Sequence, residues 1–485
     1  MKIYSTLDKH KVLLPDNSSP INMYVCGVTP YSSSHLGHAM SYIIFDVVRR
    51  YLEYTGYTIH HVQNFTDIDD KLINQSQTMN TDVETLAQKY ISEYFQDMDA
   101  LHIMHAEHYP LATTEIPEII EMIRVLIEKE YAYESKGSVF FRVHASPDYG
   151  KLSGRTLEGM LAGARVEADE SKEDPMDFVL WKASKANEPS WDSPWGPGRP
   201  GWHIECSAMS LKYLGTSIDI HGGGHDLIFP HHENEIAQSE ASTGVKPFVK
   251  IWMHNGLLQM AQDKMSKSIG NLITIREALQ HHNADTIRLF FLNSHYRSPL
   301  NYHNTSLKSS AKALARLQKT LRLDPETNNS KPSDIEIQKY TDVFHSAMED
   351  DFNTPQALAA LFDLSREINK ANDQGTSITD AQARLLALSN ILGLFLDTDN
   401  SSENESVATS DILTLASEIK NLITSDSTLT LDETLLQQLS DNSTATVIQA
   451  LSDIRTQLRK DKLYELSDLI RLKLNNAGIK LEDSR

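Results

Sequence analysis

Along the first part of the chain the apolar positions switch between two periods. Ile21–Val28 is a short, nearly unbroken apolar run rich in strand-forming residues, and it predicts a buried strand. Thr29-Pro-Tyr-Ser-Ser-Ser34 follows, made of turn and helix-capping residue types. From about Leu36 to Tyr54 the apolar residues Ile43, Ile44, Val47, Val48, Tyr51 and Leu52 keep the spacing of one helix face. Tyr57–Phe65 predicts a second strand. Strand, polar turn, helix and strand make a βαβ unit, which puts ligands at the carboxyl ends of parallel strands.

Further on, Thr81–Met104 and Thr114–Lys129 read as amphipathic helices and Ser138–Val143 as a strand. The stretch Pro189-Ser-Trp-Asp-Ser-Pro-Trp-Gly-Pro-Gly198 is crowded with Gly, Pro and Trp, and residues from about 95 to 200 are expected to be an insertion in the α/β fold. Ser217–His221 predicts another strand, with a helix beginning near His231, and Lys250–Leu258 a late strand. After Tyr302 the pattern becomes mostly helical. Two polar segments, Asp324–Asp334 and Asp397–Ser410, read as linkers, the second expected to be mobile. The expected division is an α/β domain over 1–302, a helical domain over 303–396, a mobile linker over 397–410 and a small C-terminal domain over 411–485.

Composition narrows the setting. Of 485 residues, 40% are hydrophobic and 23% charged, enough for a large core. No apolar run is long enough for a membrane span, and Met1–Pro15 lacks a secretory layout. The two cysteines, Cys26 and Cys206, are too few for a disulfide scaffold, so the cytoplasm is expected. The net charge of −21 argues mildly against nucleic acid. Against it stands a local stripe: Lys308, Lys312, Arg316 and Lys319 recur on one helix face in a segment free of acidic residues, with Leu307, Ala311, Leu314 and Leu321 available for burial. That stripe reads equally as a solvated face.

Three constellations carry chemistry. His35-Leu-Gly-His38 sits where the first helix begins, and exposed N–H groups with a positive dipole end suit phosphate. Gly37 would let a nucleotide approach the backbone; a capping turn with surface histidines is the plainer reading. Lys264-Met-Ser-Lys-Ser268 places lysines on a loop, where they can stabilise charge on a departing pyrophosphate. Cys26, Cys206, His231 and Glu235 would make a zinc ligand set, although His221, His225 and His232 compete and spacing alone favours structural cysteines. Asp67, Asp69 and Asp70 read as a capped loop before a Mg²⁺ cluster, His102, His105 and His108 as solvent-facing, and Trp191 and Trp195 as packing residues.

The first two motifs, in this order, resemble the hallmarks of class I aminoacyl-tRNA synthetases. Tyr24-Val-Cys-Gly27, Asn64-Phe-Thr-Asp-Ile-Asp-Asp-Lys71, Gly198-Arg-Pro-Gly-Trp-His-Ile-Glu-Cys206, the run His221–Glu235, His295-Tyr-Arg-Ser-Pro-Leu300 and Asp350-Asp-Phe-Asn-Thr-Pro355 look like the cysteinyl-tRNA synthetase family in particular. The resemblance implies a Rossmann-like parallel-sheet catalytic domain followed by an α-helical tRNA-binding region. It implies activation of L-cysteine with Mg²⁺-ATP to an adenylate, then transfer to the 3′-terminal adenosine of tRNA(Cys), by a monomer with no membrane attachment. It assigns His35, His38, Lys264 and Lys267 to catalysis, with Gly37, Lys267 and Ser268 at ATP. Gly27, Thr66, Trp202 and Asp226 fall to the amino-acid pocket, and one Zn²⁺ to Cys26, Cys206, His231 and Glu235. Zinc would favour a thiolate over the hydroxyl of serine, a near-isostere that a hydrophobic pocket separates poorly. The basic stripe falls to tRNA.

Two departures stand out. Gly27-Val-Thr-Pro-Tyr-Ser32 is similar to the variant in ligases that join cysteine to an amino-sugar, and Met40 stands where an Arg is usual. An idle tRNA-binding relative is a further rival. The nearly 180 residues after Ser306 favour a tRNA acceptor.

Overall fold

The computed structural model describes residues 1–159, 170–186, 188–260, 263–264, 273–303, 305–324 and 331–396, with the helix Thr444–Lys460 and a few further positions of the C-terminal segment. Met1–Leu396 forms one compact unit and Asp397–Arg485 a second.

Four parallel strands make the central sheet, in the order Val249–Asn255, Ile218–Gly224, Ile21–Val28, Ile59–Phe65. Nearly every residue of Ile21–Val28 is buried, because helices cover both faces. The pleat sorts its side chains. Met23 and Val25 join the apolar cluster of the helix Leu36–Tyr54, while Tyr24 and Cys26 join that of the helix Trp202–Leu214. From Ile21–Val28 the chain crosses to Ile59–Phe65 on one side, and from Ile218–Gly224 to Val249–Asn255 on the other. The winding therefore reverses between the two middle strands, and a crevice opens at their carboxyl ends. Cys26 lies at that end.

The insertion carries an antiparallel sheet of Ala132–Ser135, Ser138–Phe141, Phe178–Ala183 and Gly198–Pro200. Trp195 packs against Trp181, and Trp191 pairs with Gly198 through backbone hydrogen bonds. The acidic trio is structural. Asp67 accepts from the backbone and hydroxyl of Thr113, Asp69 caps the helix Asp70–Met79, and Asp70 pairs with Lys182 and Arg199. His102, His105 and His108 are exposed, and His105 lies 2.7 Å from Asp99.

The helices Ser306–Leu321, Ile337–Glu349, Thr354–Asp373 and Thr379–Ile391 come next along the chain. Leu307, Leu314 and Leu317 are buried on the first of them, and Ala311 and Leu321 half-buried. Their cluster is continuous with the one beneath the sheet. A polar clamp reinforces the join. Arg288, wholly buried, pairs with Asp46 of the helix Leu36–Tyr54 at 2.5 Å and donates to the carbonyls of Leu101 and Leu392. Asp285 accepts the N–H groups of Phe395 and Leu396. Met40 is buried in the same core.

The second unit is described mainly through Thr444–Lys460, where Val447, Ala450, Leu451, Ile454 and Leu458 form one buried stripe. The expected linker 397–410 lies outside the described residues. Among the described residues no helix is long and apolar enough to cross a membrane.

Candidate metal centre and nucleotide site

At the first helix the two histidines build its cap. His35 Nδ1 accepts the N–H groups of Gly37 at 3.1 Å and His38 at 3.3 Å, and His38 Nδ1 accepts that of His35 at 3.3 Å. An accepting Nδ1 leaves the ring proton on Nε2, so both imidazoles are set as Nε2–H donors. The rings stack with centroids 3.7 Å apart. Burial, helped by His35, holds the His38 pKa well below 6.5, so its ring stays neutral at pH 7. A Cβ at Gly37 would stand 2.9 Å from the His35 ring, so the glycine is what lets that ring fold back over its own helix. The N–H groups of Gly37 and His38 are thereby occupied by the cap, and the two Nε2 atoms are left to donate elsewhere.

The lysine string begins at Lys264, whose backbone pairs with Gln259. Lys267 and Ser268 lie outside the described residues. The chain reappears at Ile273 beside the histidines: Leu36 N–H donates to Ile273 O and Ile275 N–H to Ser34 O, both at 3.0 Å. The segment from Ile273 thus lies beside the start of the helix Leu36–Tyr54.

In the crevice, Cys26, His231, His232 and Glu235 offer ligand atoms that all lie within 4.8 Å of one another, and all four residues are buried. Cys206 is not in that tightest group, but its Sγ lies 3.9 Å from that of Cys26. Two sulfurs bound to one tetrahedral zinc stand about 3.8 Å apart. Glu235 Oε1 is 3.7 Å from Cys26 Sγ and 3.0 Å from His231 Nε2. Two of these side chains are also held from behind: His221 Nε2 lies 2.9 Å from Glu235 Oε2, and His203 Nδ1 2.9 Å from His231 Nδ1. His232 is the competitor, with Nε2 at 3.2 Å from Cys26 Sγ and Nδ1 at 2.8 Å from His254. The residues present fit a zinc ion. His231 lies in a π-turn, Ile228–His232, just before the helix Glu233–Thr243, and not inside a continuous helix as its spacing suggests.

The electrostatics suit a cation. Burial opposes charge on Glu235, but His221 and His231 outweigh it and bring its pKa down to about 2. Burial likewise opposes charge on His231, yet Glu235 and Cys206 push its pKa up to about 10. The Cys26 thiol, donating toward Cys206, overrides burial and lowers the Cys206 pKa to about 6, while burial and Cys206 keep Cys26 protonated.

Of the expected pocket residues, Thr66 is buried and bonded to Asn64 and Val28. Trp202 is 42% exposed and stacks on His231 with centroids 4.3 Å apart. Asp226 is exposed on the short turn His225–Leu227. Gly27 serves the sheet first: a Cβ there would stand 1.5 Å from the Asn64 carbonyl oxygen, across the bulge between its strand and Ile59–Phe65. His203 and His254 are functional neighbours that sequence reasoning passes over. A histidine inside the apolar strand Ile251-Trp-Met-His254 is the available signal.

Family models agree with this geometry. Residues 13–312 match the class I (C) tRNA synthetase catalytic domain, and residues 343–396 match the DALR domain. The cysteine–tRNA ligase of Dehalococcoides mccartyi is 50% identical over all of this chain and 98% of its own length, and that of Carboxydothermus hydrogenoformans is 47% identical with the same coverage. The chain belongs to the cysteine–tRNA ligase family. It is a ligase that joins cysteine to tRNA at the expense of ATP, and the tRNA acceptor is favoured over an amino-sugar and over an idle relative. Solved structures share the fold. A Mycobacterium tuberculosis methionyl-tRNA synthetase in complex with methionyl-adenylate superposes with TM-score 0.56 at 16% identity, over 81% of this chain and 90% of that one. An Agrobacterium radiobacter leucyl-tRNA synthetase complex gives 0.56 at 13% identity, over 79% and 84%. The synthetase therefore has the class I arrangement of a parallel sheet followed by helices.

Proposed function

We propose that this synthetase selects cysteine with one zinc ion held by Cys26, Cys206, His231 and Glu235. The observation that carries the reading is the 3.9 Å separation of the two sulfurs beside Glu235 and His231, in a crevice at the switch point of the sheet. When bound, zinc supplies a strong preference for sulfur over a neutral hydroxyl. The chain's own residues then orient the substrate. Trp202, stacked on His231, forms an apolar wall beside the ligands, with Thr66, Asp226 and Gly27 completing the amino-acid pocket.

His35 and His38 donate from Nε2 to the ATP phosphates, and Gly37 leaves room for the nucleotide. Lys264 and Lys267, with Ser268, stabilise the charge that gathers as the carboxylate attacks the α-phosphate and Mg²⁺-pyrophosphate departs. The backbone link from Ile273 to Leu36 supports that shared role. The exposed Lys308, Lys312, Arg316 and Lys319 contact the tRNA(Cys) backbone. Segments 303–396 and 411–485 form the tRNA-binding part of a monomer working in the cytoplasm.

Metal analysis with cysteine-dependent ATP–pyrophosphate exchange tests the centre. One zinc per chain is expected in the wild type. Cys206→Ala should lose zinc and cysteine selectivity while His232→Ala keeps both. The reverse result would move the ligand set to Cys26, His231, His232 and Glu235.

A further inference from the structure

Cys26 and Cys206 are the chain's only cysteines, 180 residues apart in sequence, with their sulfurs 3.9 Å apart in the fold. We propose that they are also a redox-reactive dithiol guarded by the metal: once the metal is lost, a hydroperoxide converts the pair to a disulfide, and a dithiol reductant restores it. The inference rests on the zinc reading above.

Geometry makes the step short. A disulfide needs the sulfurs to close from 3.9 Å to about 2.0 Å, which side-chain rotation supplies when two Cβ atoms face one another. Cys26 lies near the end of the strand Ile21–Val28 and Cys206 on the helix Trp202–Leu214, in one apolar cluster with their sulfurs already in contact. With both sulfurs committed to a cation, neither can attack the other. With the cation gone, no third cysteine exists to compete.

The chemistry closes. Both sulfurs are nearly buried, Cys26 7% exposed and Cys206 2%, and whichever is the thiolate when the peroxide arrives reacts first. That sulfur attacks one peroxide oxygen and breaks the O–O bond, giving a sulfenic acid and, from hydrogen peroxide, one water. The other sulfur then displaces the sulfenic oxygen, the S–S bond forms, and a second water carries that oxygen away. Each sulfur is oxidised by one electron, peroxide is reduced by two, and both thiol protons leave in the waters. The closed pair can no longer present two thiolates to zinc, so cysteine selection stops until reduction.

The test uses the full chain with its zinc content measured first. One portion is kept loaded and one is stripped with a chelator; both then receive hydrogen peroxide. Intact mass and non-reducing peptide mapping should show the stripped protein losing two hydrogens and yielding a Cys26–Cys206 cross-linked peptide, with the loaded protein unchanged. Dithiothreitol should return two titratable thiols and zinc uptake. Stripped protein that keeps both thiols, or gains oxygen without a cross-link, overturns the proposal, as does equally fast cross-linking of loaded protein. In Cys206→Ser no internal cross-link can form, and a two-hydrogen mass loss in that variant would overturn the pairing. If the purified protein holds no zinc, the metal reading fails by itself, while the peptide map still decides whether the pair closes.

Discussion

The Nε2 of His221 lies 2.9 Å from Oε2 of Glu235, and both side chains are wholly buried. One carboxylate oxygen is thereby fixed away from the crevice while the other faces His231 and Cys26. A partner of this kind sets the carboxylate's orientation and holds it ionised. His221→Ala should weaken zinc binding about 10- to 100-fold without abolishing it. Competition against a chromogenic chelator reads the change; unaltered affinity would reduce the contact to packing.

Zinc uptake should depend on pH in a defined direction. With the His231 pKa pushed up to about 10 by Glu235 and Cys206 against burial, the empty site holds a proton on this ring at neutral pH. A metal must displace it together with the proton that burial and Cys206 keep on Cys26, so affinity rises with pH, by about tenfold per unit for each proton released. Calorimetry in buffers of different ionisation enthalpy should record proton release. Uptake without release would place the metal elsewhere.

His35 does two separable jobs. His35→Ala removes both the cap and the Nε2 donor, costing about 1 kcal/mol of stability along with activity. His35→Asn keeps a capping oxygen, so its melting temperature should stay near wild type while pyrophosphate exchange still falls by about 10²-fold. Equal exchange rates in Asn and wild type would leave His35 as a cap alone.

Arg288 is the point where a substitution should unfold the protein. Arg288→Leu takes from Asp46 its wholly buried partner and leaves it Arg50 at 2.8 Å and the Met104 N–H, with an expected loss of about 3 kcal/mol. Replacing Asp46 by Leu as well should recover part of it, as no wholly buried charge would remain there and Arg50 is partly exposed. Denaturant unfolding of both variants checks this.

Charge reversal at Lys312 and Arg316 should weaken tRNA binding and lower the slope of log affinity against log salt by about two. Arg316 also lies over the Phe362 ring, 5.3 Å from its centroid, so a variant with Lys312 reversed alone separates phosphate contact from lost packing. Unchanged affinity in both would make the stripe a solvated face.

Local periodicity carries much of the fold. The strand Ile21–Val28 has the bounds its apolar run suggests, and the helix Leu36–Tyr54 begins at the expected turn. The helix Asp70–Met79 escapes because its polar start reads as loop, and the π-turn at Ile228–His232 because periodicity assumes one regular helix. The metal centre is illegible from spacing. Cys26 and Cys206 meet only through the crossing of a strand and a helix 180 residues apart, so motif resemblance supplies what local pattern lacks. His203 and His254 stay hidden for the same reason, since each reads locally as a single polar residue in an apolar run.

The apolar cluster that runs unbroken from beneath the sheet to Leu396 has a practical corollary. A gene cut after Tyr302 would bare Phe290, Phe291 and the near side of the sheet's first helix, and would leave Arg288 without its Leu392 acceptor. The adenylate-forming half is therefore no free-standing module. A shortened enzyme meant to activate cysteine should carry the chain through Leu396.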